Sequence, residues 1–209
     1  MIAIIDYGAG NLRSVRNAFA HLGAQTVTVS SPDQLDGADQ IVLPGVGAFG
    51  AGINALRAAG FEEPIRELVG RGVPLLGICL GMQYLFESSD EMGTHRGLGL
   101  LPGRVTRFPA GDERMAGLKV PHMGWNRLSI RRSSPLVAGL PDGGYAYFVH
   151  SYYVEAADPA DVIAVTRYGI DFAAVVGRAN IFGIQPHPEK SQKVGLHILR
   201  NFIQMGGAR

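Results

Sequence analysis

The stretch VPLLGICLG, residues 73–81, decides how this sequence folds. Its first seven residues form an apolar run of strand length, and a helical pattern over residues 82–87 follows almost at once. A buried strand that passes directly into a helix is the repeating unit of a parallel sheet covered by helices. The stretch therefore predicts an α/β fold.

The same alternation of strands and helices runs through the N-terminal part of the chain. Short apolar runs predict buried strands at residues 2–6, 26–29 and 40–43. Apolar residues at helical spacing predict amphipathic helices around residues 12–22 and 61–69. We therefore expect a mostly parallel, open sheet that is flanked by helices on both faces.

The middle of the chain changes character. Strand-like segments with short turns between them occupy residues 104–108, 127–130, 146–153 and 162–166. They predict an additional antiparallel or mixed β segment on the same domain. Buried strands then return at residues 173–176 and 181–185, and a helix over residues 191–205 follows, with Ser191 as its N-cap. Because no linker or repeat divides the chain, we predict one domain over residues 1–209.

Composition and charge exclude several classes of function. Hydrophobic residues make up 46% of the 209 residues, which is enough for a large core. The formal net charge is +1 and like charges are not clustered, so we expect no nucleic-acid partner. No apolar run approaches the roughly 20 residues that span a bilayer, and the N-terminus lacks the basic start of a signal peptide. With one cysteine, which suits a reducing compartment, we expect a cytoplasmic location without membrane contact.

Cys79 is the first candidate for chemistry, because it lies where the strand of residues 73–79 turns into a helix. Gly77 and Gly81, two positions away on either side, permit the sharp turn of a nucleophile elbow with cysteine in place of serine. At a helix N-terminus the positive end of the dipole favours the reactive thiolate. The alternative is a buried structural cysteine, which is the usual state of a free cysteine.

A thiol nucleophile needs a base, and His187 has the most suitable context among the histidines. It lies in QPHPE, directly after the strand of residues 181–185. In an extended segment residues i and i+2 point the same way, so Glu189 is expected to orient the imidazole. Parallel strands end at the same edge of a sheet, which brings His187 toward Cys79. The alternative is a surface turn with an ordinary His–Glu pair.

The remaining histidines lack such a context. His21 and His197 lie off the apolar stripes of their helices and are expected on the solvated surface. His95 lies in a glycine-rich loop. His122 and His150 are possible bases, but neither has an adjacent carboxylate.

A third segment, PGVG at residues 44–47, follows the strand of residues 40–43. Backbone N–H groups of such a loop can point at a developing oxyanion, and the N–H of Leu80 is the natural second donor. A plain glycine-rich turn is the alternative. No Gly-Lys-Ser/Thr follows, so this is not a phosphate loop, and no Cys/His cluster has metal-ligand spacing. We expect neither a cofactor nor a metal.

The order and strand context of PGVG, GICLG and HPE resemble those of the class I (triad) glutamine amidotransferase family. The resemblance covers essentially the whole chain. The segments VPHMGWN (residues 120–126) and YFVHSYY (residues 147–153) are similar to one branch of that family, the glutaminase subunits of imidazole glycerol phosphate synthases.

This resemblance implies a reaction and roles for individual residues. Cys79 attacks the side-chain amide of L-glutamine, His187 transfers the thiol proton to the departing ammonia, and Glu189 orients His187. Water then hydrolyses the glutamyl thioester. Glutamine binding and the oxyanion hole are assigned to Gly45, Val46, Gly47, Leu80, Gln83, Ser151 and Tyr152.

The resemblance also implies a partner. Ammonia passes, within a heterodimer, to a cyclase subunit with a (β/α)8 barrel. The cyclase forms imidazole glycerol phosphate and aminoimidazole carboxamide ribotide in histidine biosynthesis. The residues expected at the interface or its gate are Met123, Trp125, Asn126, Tyr147 and Lys190. Without the resemblance, Trp125 would be interpreted as an anchor of the core.

Three alternatives share parts of this pattern. Another amidotransferase glutaminase, such as that of pyridoxal phosphate synthesis, has the same triad but is disfavoured by VPHMGWN. A cysteine peptidase or γ-glutamyl hydrolase of the same fold differs in substrate. A catalytically inactive binding subunit is disfavoured by the intact Cys79, His187 and Glu189.

Overall fold

The computed structural model describes residues 1–206, which form three sheets and five α-helices. The strands are β1 (Ile2–Ile5), β2 (Thr26–Val29), β3 (Gln40–Gly45), β4 (Leu75–Cys79), β5 (Ser88–Ser89), β6 (His95–Arg96), β7 (Gly103–Arg107), β8 (His122–Arg127), β9 (Ser129–Ile130), β10 (Tyr145–His150), β11 (Tyr152–Ala156), β12 (Val162–Tyr168), β13 (Ile170–Arg178) and β14 (Ile181–Ile184). The helices are α1 (Leu12–His21), α2 (Phe49–Ala58), α3 (Glu62–Gly70), α4 (Leu80–Tyr84) and α5 (Gln192–Gly206). Within residues 1–206, no helix combines the length and the apolar character needed to cross a bilayer.

The central sheet has the order β2-β1-β3-β4-β14-β13-β12-β9 in the described part of the chain. Neighbours from β2 to β14 are parallel, and β13, β12 and β9 continue the sheet in antiparallel fashion. Two smaller sheets accompany it: the antiparallel pair β10–β8 and the mixed sheet β11-β7-β5-β6. The predicted α/β fold with a mostly parallel sheet is confirmed.

Helices cover both faces of the central sheet. Along β1, Ile2 and Ile4 belong to the apolar layer of α1 and α5, whereas Ala3 and Ile5 belong to the layer of α2 and α3. This alternation follows from the two-residue period of a strand. It also explains why buried strands such as β1 are apolar throughout, as expected for parallel strands with both faces covered.

Helix α2 was not predicted. Gly50 and Gly52 occupy its first turns, and glycine is unfavourable in helices. The structure explains both residues, because a side chain at Gly50 would overlap the ring of His95, and one at Gly52 would overlap the hydroxyl of Tyr84. Because close packing against these rings requires glycine at both positions, the segment lacks the regular apolar pattern by which a helix is recognised in a sequence.

Three boundary predictions are wrong. The strand predicted over residues 127–130 is divided between β8, which ends at Arg127, and β9, which begins at Ser129. The other two share a cause. The strand predicted over residues 146–153 breaks at Ser151, so that β10 pairs with β8 whereas β11 pairs with β7. The helix predicted over residues 82–87 begins at Leu80 and ends at Tyr84. In both cases the apolar pattern continues across a change of backbone direction, and periodicity alone does not reveal such a change.

The N-cap predicted at Ser191 also needs correction. Helix α5 does begin at the next residue, but the Ser191 hydroxyl donates to His187 O at 2.6 Å and accepts from Tyr147 N at 2.9 Å. Ser191 therefore ties the start of α5 to β10 and to the loop that carries His187.

Candidate active site

Cys79 lies at the end of β4, at the edge of the sheet where its parallel strands terminate. Strand β4 lies between β3 and β14 in the sheet. On β3, Gly45 is opposite Cys79, and the chain that leaves β14 leads to His187. Cys79 has a φ of +54°, a conformation that is rare for residues other than glycine. The chain turns sharply here and continues into α4, as a nucleophile elbow does.

Two glycines make this turn possible. A Cβ atom at Gly77 would lie 2.5 Å from the carbonyl oxygen of Gly81, which is closer than atoms can approach. A Cβ atom at Gly81 would overlap the carbonyl oxygen of Leu43 on the neighbouring strand β3. Helix α4 can therefore pack directly against β3 and β4 only when both positions lack side chains.

We expect Gly81→Ala to lower the free energy of unfolding by about 3 kcal/mol, because the new methyl group displaces a backbone strand rather than a flexible side chain. The measurement is urea unfolding. Gly70→Ala is the matched control, since nothing lies within 4 Å of a Cβ atom at this helix position. The control is expected to gain up to about 1 kcal/mol. Equal stability of the two variants would contradict this account of the elbow.

His187 and Glu189 form a buried pair beside the elbow. The distance from His187 Nδ1 to Glu189 Oε1 is 2.8 Å, and the two side chains are only 4% and 1% exposed. The backbone differs from the extended segment that was predicted, because Pro188–Lys190 forms a turn of 3-10 helix. Pro188 is compatible with this turn, since proline is favoured at the first helical position. The expected contact thus arises from a different backbone geometry.

The electrostatics of His187 connect Cys79 to Glu189. Burial lowers the pKa of His187, but hydrogen bonds with Cys79 and Glu189 outweigh burial and raise the pKa to about 10. These contacts favour the protonated form of the imidazole. An imidazolium in this position compensates the buried carboxyl group of Glu189, whose Oε2 has no hydrogen-bond partner within the described residues.

A cavity of about 310 Å³ opens above Cys79 and His187. Six further residues that were predicted for substrate binding or the oxyanion hole line it: Val46, Gly47, Leu80, Gln83, Ser151 and Tyr152. Gly45 was predicted for this site as well but is not among the residues that line the cavity. It packs against α4, since a Cβ atom at Gly45 would be 2.8 Å from the backbone nitrogen of Gly81. The structure thus brings the predicted residues together, while their roles remain predictions.

Gln83 and Gln185 connect the cavity wall to the sulfur. Gln83 Nε2 donates to Tyr152 O at 3.1 Å and to Gln185 Oε1 at 3.0 Å. Gln185 Nε2 in turn donates to Cys79 Sγ at 3.7 Å. Sequence reasoning did not single out Gln185, although its position two residues before His187 was an available signal.

Glu91 is a residue of the cavity lining that sequence reasoning missed. It lines the cavity, and its Oε2 accepts a hydrogen bond from Phe49 N at the N-terminus of α2 at 2.7 Å. Nothing in the sequence around Glu91 indicates this position, because α2 itself was not predicted. Within residues 1–206, no group of three or more His, Cys, Asp or Glu side chains is arranged to hold a metal ion.

The predicted interface residues lie on or beside the β8–β10 pair, which we call the outer ribbon. Met123 and Trp125 are 63% and 45% exposed, so Trp125 does not anchor the core. The rings of Trp125 and Tyr147 are in edge contact at 6.0 Å, and Lys190 Nζ lies 5.7 Å from the Tyr147 ring. Asn126 donates to Arg167 O at 3.0 Å. Tyr147 O accepts from His187 N at 2.9 Å, which joins the ribbon to the buried pair.

The chain belongs to the class-I glutamine amidotransferase family, whose sequence profile matches residues 3–205. Its relatives include the imidazole glycerol phosphate synthase subunit HisH of Syntrophotalea carbinolica, which is 53% identical over 207 residues, covering 98% of this chain and 100% of the relative. The protein of the same name from Bacillus subtilis is 49% identical over 205 residues, covering 98% and 96% of the two chains.

Solved structures share the fold at much lower identity. A glutamine amidotransferase crystal structure superposes over 100% of both chains with a TM-score of 0.76 and 20% identity. A chain of PurLQS from Thermotoga maritima has a TM-score of 0.76 and 21% identity, with 98% of this chain and 97% of that chain covered. These similarities support the α/β architecture.

Proposed function

We propose that this chain is the glutaminase subunit of an imidazole glycerol phosphate synthase. It hydrolyses L-glutamine to glutamate and ammonia and passes the ammonia to a cyclase subunit. The observation that carries the proposal is the buried, hydrogen-bonded His187–Glu189 pair, whose histidine lines the same cavity as Cys79. About half of the aligned residues are identical to those of HisH subunits over nearly the full length, which supports the choice of this amidotransferase.

The first half-reaction forms a thioester. The Cys79 thiolate attacks the side-chain carbonyl carbon of glutamine and produces a tetrahedral oxyanion. The His187 imidazolium donates its proton to the amide nitrogen, so that the carbon–nitrogen bond breaks and ammonia leaves. Glu189 holds the imidazole and stabilises its protonated form, as the third member of a triad does.

The second half-reaction restores the enzyme. The neutral His187 imidazole now takes a proton from water, and the hydroxide attacks the thioester carbon. Collapse of the second tetrahedral intermediate expels the Cys79 thiolate and releases glutamate. His187 keeps the proton that it took from water and is therefore an imidazolium again. Thiolate and imidazolium are thus both regenerated. The net change is the conversion of glutamine and water into glutamate and ammonia.

The cavity supplies groups that suit glutamine. Backbone N–H groups of Val46 and Leu80 serve as the oxyanion donors in this proposal. A volume of about 310 Å³ lies within the usual range for small-molecule sites. Gln83, Ser151 and Tyr152 form the wall that holds the substrate, and the Glu91 carboxylate pairs with the α-ammonium group of glutamine.

The proposal assigns the outer ribbon to the cyclase interface. Met123 and Trp125 are exposed there, and methionine and aromatic residues are enriched at protein interfaces. The proposed partner is a (β/α)8 barrel that forms a heterodimer with this chain. In this proposal the chain is a single domain over residues 1–209. Tyr147 and Lys190 form the gate toward the partner. A cytoplasmic location completes the proposal, since it keeps the Cys79 thiol reduced.

A coupled assay tests this function. The chain, the cyclase and the nucleotide substrate are mixed with glutamine, and glutamate and imidazole glycerol phosphate are measured together. We expect both products in equal amounts. Glutamate formation that is unaffected by the cyclase, with no imidazole product, would instead favour another hydrolase of the same fold. Full synthesis with a pyridoxal phosphate synthase in place of the cyclase would assign the chain to that other amidotransferase.

A further inference from the structure

Two buried histidines connect the glutamine cavity to the outer ribbon. Tyr152 O accepts a hydrogen bond from Gln83 Nε2 and lies 2.8 Å from His150 Nδ1. A carbonyl oxygen only accepts hydrogen bonds, so His150 Nδ1 must carry the hydrogen. His150 Nε2 lies 3.1 Å from His122 Nδ1, and the two residues are directly opposite each other in β10 and β8.

The tautomers of both rings follow from this geometry. Burial lowers the pKa of His150 to about 3 and that of His122 to about 4, so both rings are neutral at pH 7. A neutral His150 with hydrogen on Nδ1 has an unprotonated Nε2, which accepts a hydrogen bond from His122 Nδ1. Because His122 is also neutral and carries its hydrogen on Nδ1, its Nε2 is unprotonated as well, and it lies 3.2 Å from Asn126 Nδ2.

The orientation of the Asn126 amide, at the other end of these hydrogen bonds, gives the same donor-to-acceptor direction independently of Tyr152. Asn126 Oδ1 accepts from Arg127 N at 2.8 Å, and Asn126 Nδ2 donates to Arg167 O at 3.0 Å. These two backbone bonds fix which way the amide points. Asn126 Nδ2 therefore presents its second hydrogen to His122 Nε2, as the tautomer derived from Tyr152 requires.

The environment holds the two rings in place. His122 stacks on Tyr168 at 4.1 Å and on Phe148 at 4.9 Å between ring centroids. Aromatic side chains surround the histidine pair, namely Phe108, Phe148, Tyr168 and Phe172. In such an apolar setting each hydrogen bond is strong, and a broken one is costly.

We propose that Asn126, His122 and His150 form a one-directional hydrogen-bond relay that positions the Ser151–Tyr152 wall of the glutamine cavity. The relay begins on the outer ribbon and ends at Tyr152 O, where Gln83 also donates. Through Gln83 and Gln185 the same series continues to Cys79 Sγ. The three residues are positioning residues, and their effect on glutamine rests on the function proposed above.

The tautomers are measurable without any assay of function. Nitrogen-15 NMR of the full-length chain labelled at histidine distinguishes protonated from bare ring nitrogens. We expect both His122 and His150 to be neutral with hydrogen on Nδ1 at pH 7. A hydrogen on Nε2 of either ring, or a cationic ring, would overturn the relay.

Kinetics test whether the relay positions the substrate. Asn126→Asp keeps the size of the side chain but removes the NH2 donor. Asn201→Asp is the matched control, because Asn201 Nδ2 also donates to two backbone carbonyls, Leu136 O at 3.0 Å and Ala138 O at 2.9 Å, and does not line the cavity. Both variants are assayed with saturating cyclase and its nucleotide ligand.

For Asn126→Asp we expect the KM for glutamine to rise about three- to tenfold, the effect of one hydrogen bond, with kcat within about twofold. Asn201→Asp should match the wild type. A merely structural role predicts a lower melting temperature in Asn126→Asp with unchanged KM, and that result would refute the relay. If Asn126→Asp does not fold, the tautomers of His122 and His150 in the wild-type protein decide whether the relay exists. Wild-type protein without glutaminase activity would reject the proposed function but leave the tautomer result valid.

Discussion

Replacement of Cys79 by alanine is expected to lower glutamine hydrolysis by about 10⁴- to 10⁶-fold, as for other triad nucleophiles. The reason is that no thioester can form, and residual turnover then depends on the cavity and the oxyanion donors alone. The measurement is glutamate release by the complex with the cyclase and its nucleotide ligand. Full activity of Cys79→Ala would show that the nucleophile is elsewhere.

The same variant also tests the division of labour between the subunits. Ammonium salt should bypass the missing glutaminase, so Cys79→Ala mixed with the cyclase should make imidazole glycerol phosphate from added ammonium at the wild-type rate. The comparison sample is the cyclase alone with ammonium. Failure of the mixture, while the cyclase alone uses ammonium normally, would mean that this chain takes part in the synthetic step as well.

Association with the cyclase and its nucleotide ligand is expected to raise glutaminase turnover by about 10²- to 10³-fold, the effect of one oxyanion donor. The Val46 N–H lies in the peptide plane that joins Gly45 to Val46, and glycine on one side of this plane lets it rotate at little steric cost. The Cα atom of Gly45 stays in place, because Gly45 pairs with Cys79 in the sheet and packs against Gly81. Gly47, with a φ of +96°, adds backbone freedom on the other side of Val46. Rotation of the plane between residues 45 and 46 thus switches the donor without displacing the elbow.

The test is steady-state turnover of the chain alone, with cyclase, and with cyclase plus nucleotide ligand. Val46 is 41% exposed beside the cavity, so a partner docked nearby can reach this loop. Equal turnover in all three samples would reject gating. A higher affinity for glutamine at constant turnover would point to altered substrate binding and would rule out rotation of an oxyanion donor.

Much of the fold was predictable because strand and helix patterns in this chain are clear. The strands β2 and β14 were predicted within a residue, and the parallel direction of β4 and β14 was expected from the α/β pattern of strands and helices. Parallel strands end at the same edge of the sheet, which brings the segments of Cys79 and His187 together. The contact of His187 with Glu189 was expected for the wrong reason, since proline here begins a turn of 3-10 helix.

Contacts that depend on the register between strands were not predictable. His122 and His150 were set aside because neither has a carboxylate nearby in sequence, yet their opposition in β8 and β10 makes each the partner of the other. Periodicity shows which residues share a face but not the register between strands. Likewise His197, which was expected on the solvated surface, is half-buried, and its Nε2 lies at hydrogen-bond distance, 2.7 Å, from Ala138 O. This contact arises because α5 packs against a distant segment of the chain, which the pattern of the helix itself does not reveal.

The central claim is that ammonia released at Cys79 is delivered to the partner, and isotope transfer tests it most directly. The coupled reaction is run with glutamine labelled by nitrogen-15 at the side-chain amide, in an excess of unlabelled ammonium. The imidazole product is analysed by mass spectrometry. We predict that the product carries the label at nearly the enrichment of the glutamine, because the ammonia passes between subunits without mixing. Label diluted to the composition of the ammonium pool would contradict the account.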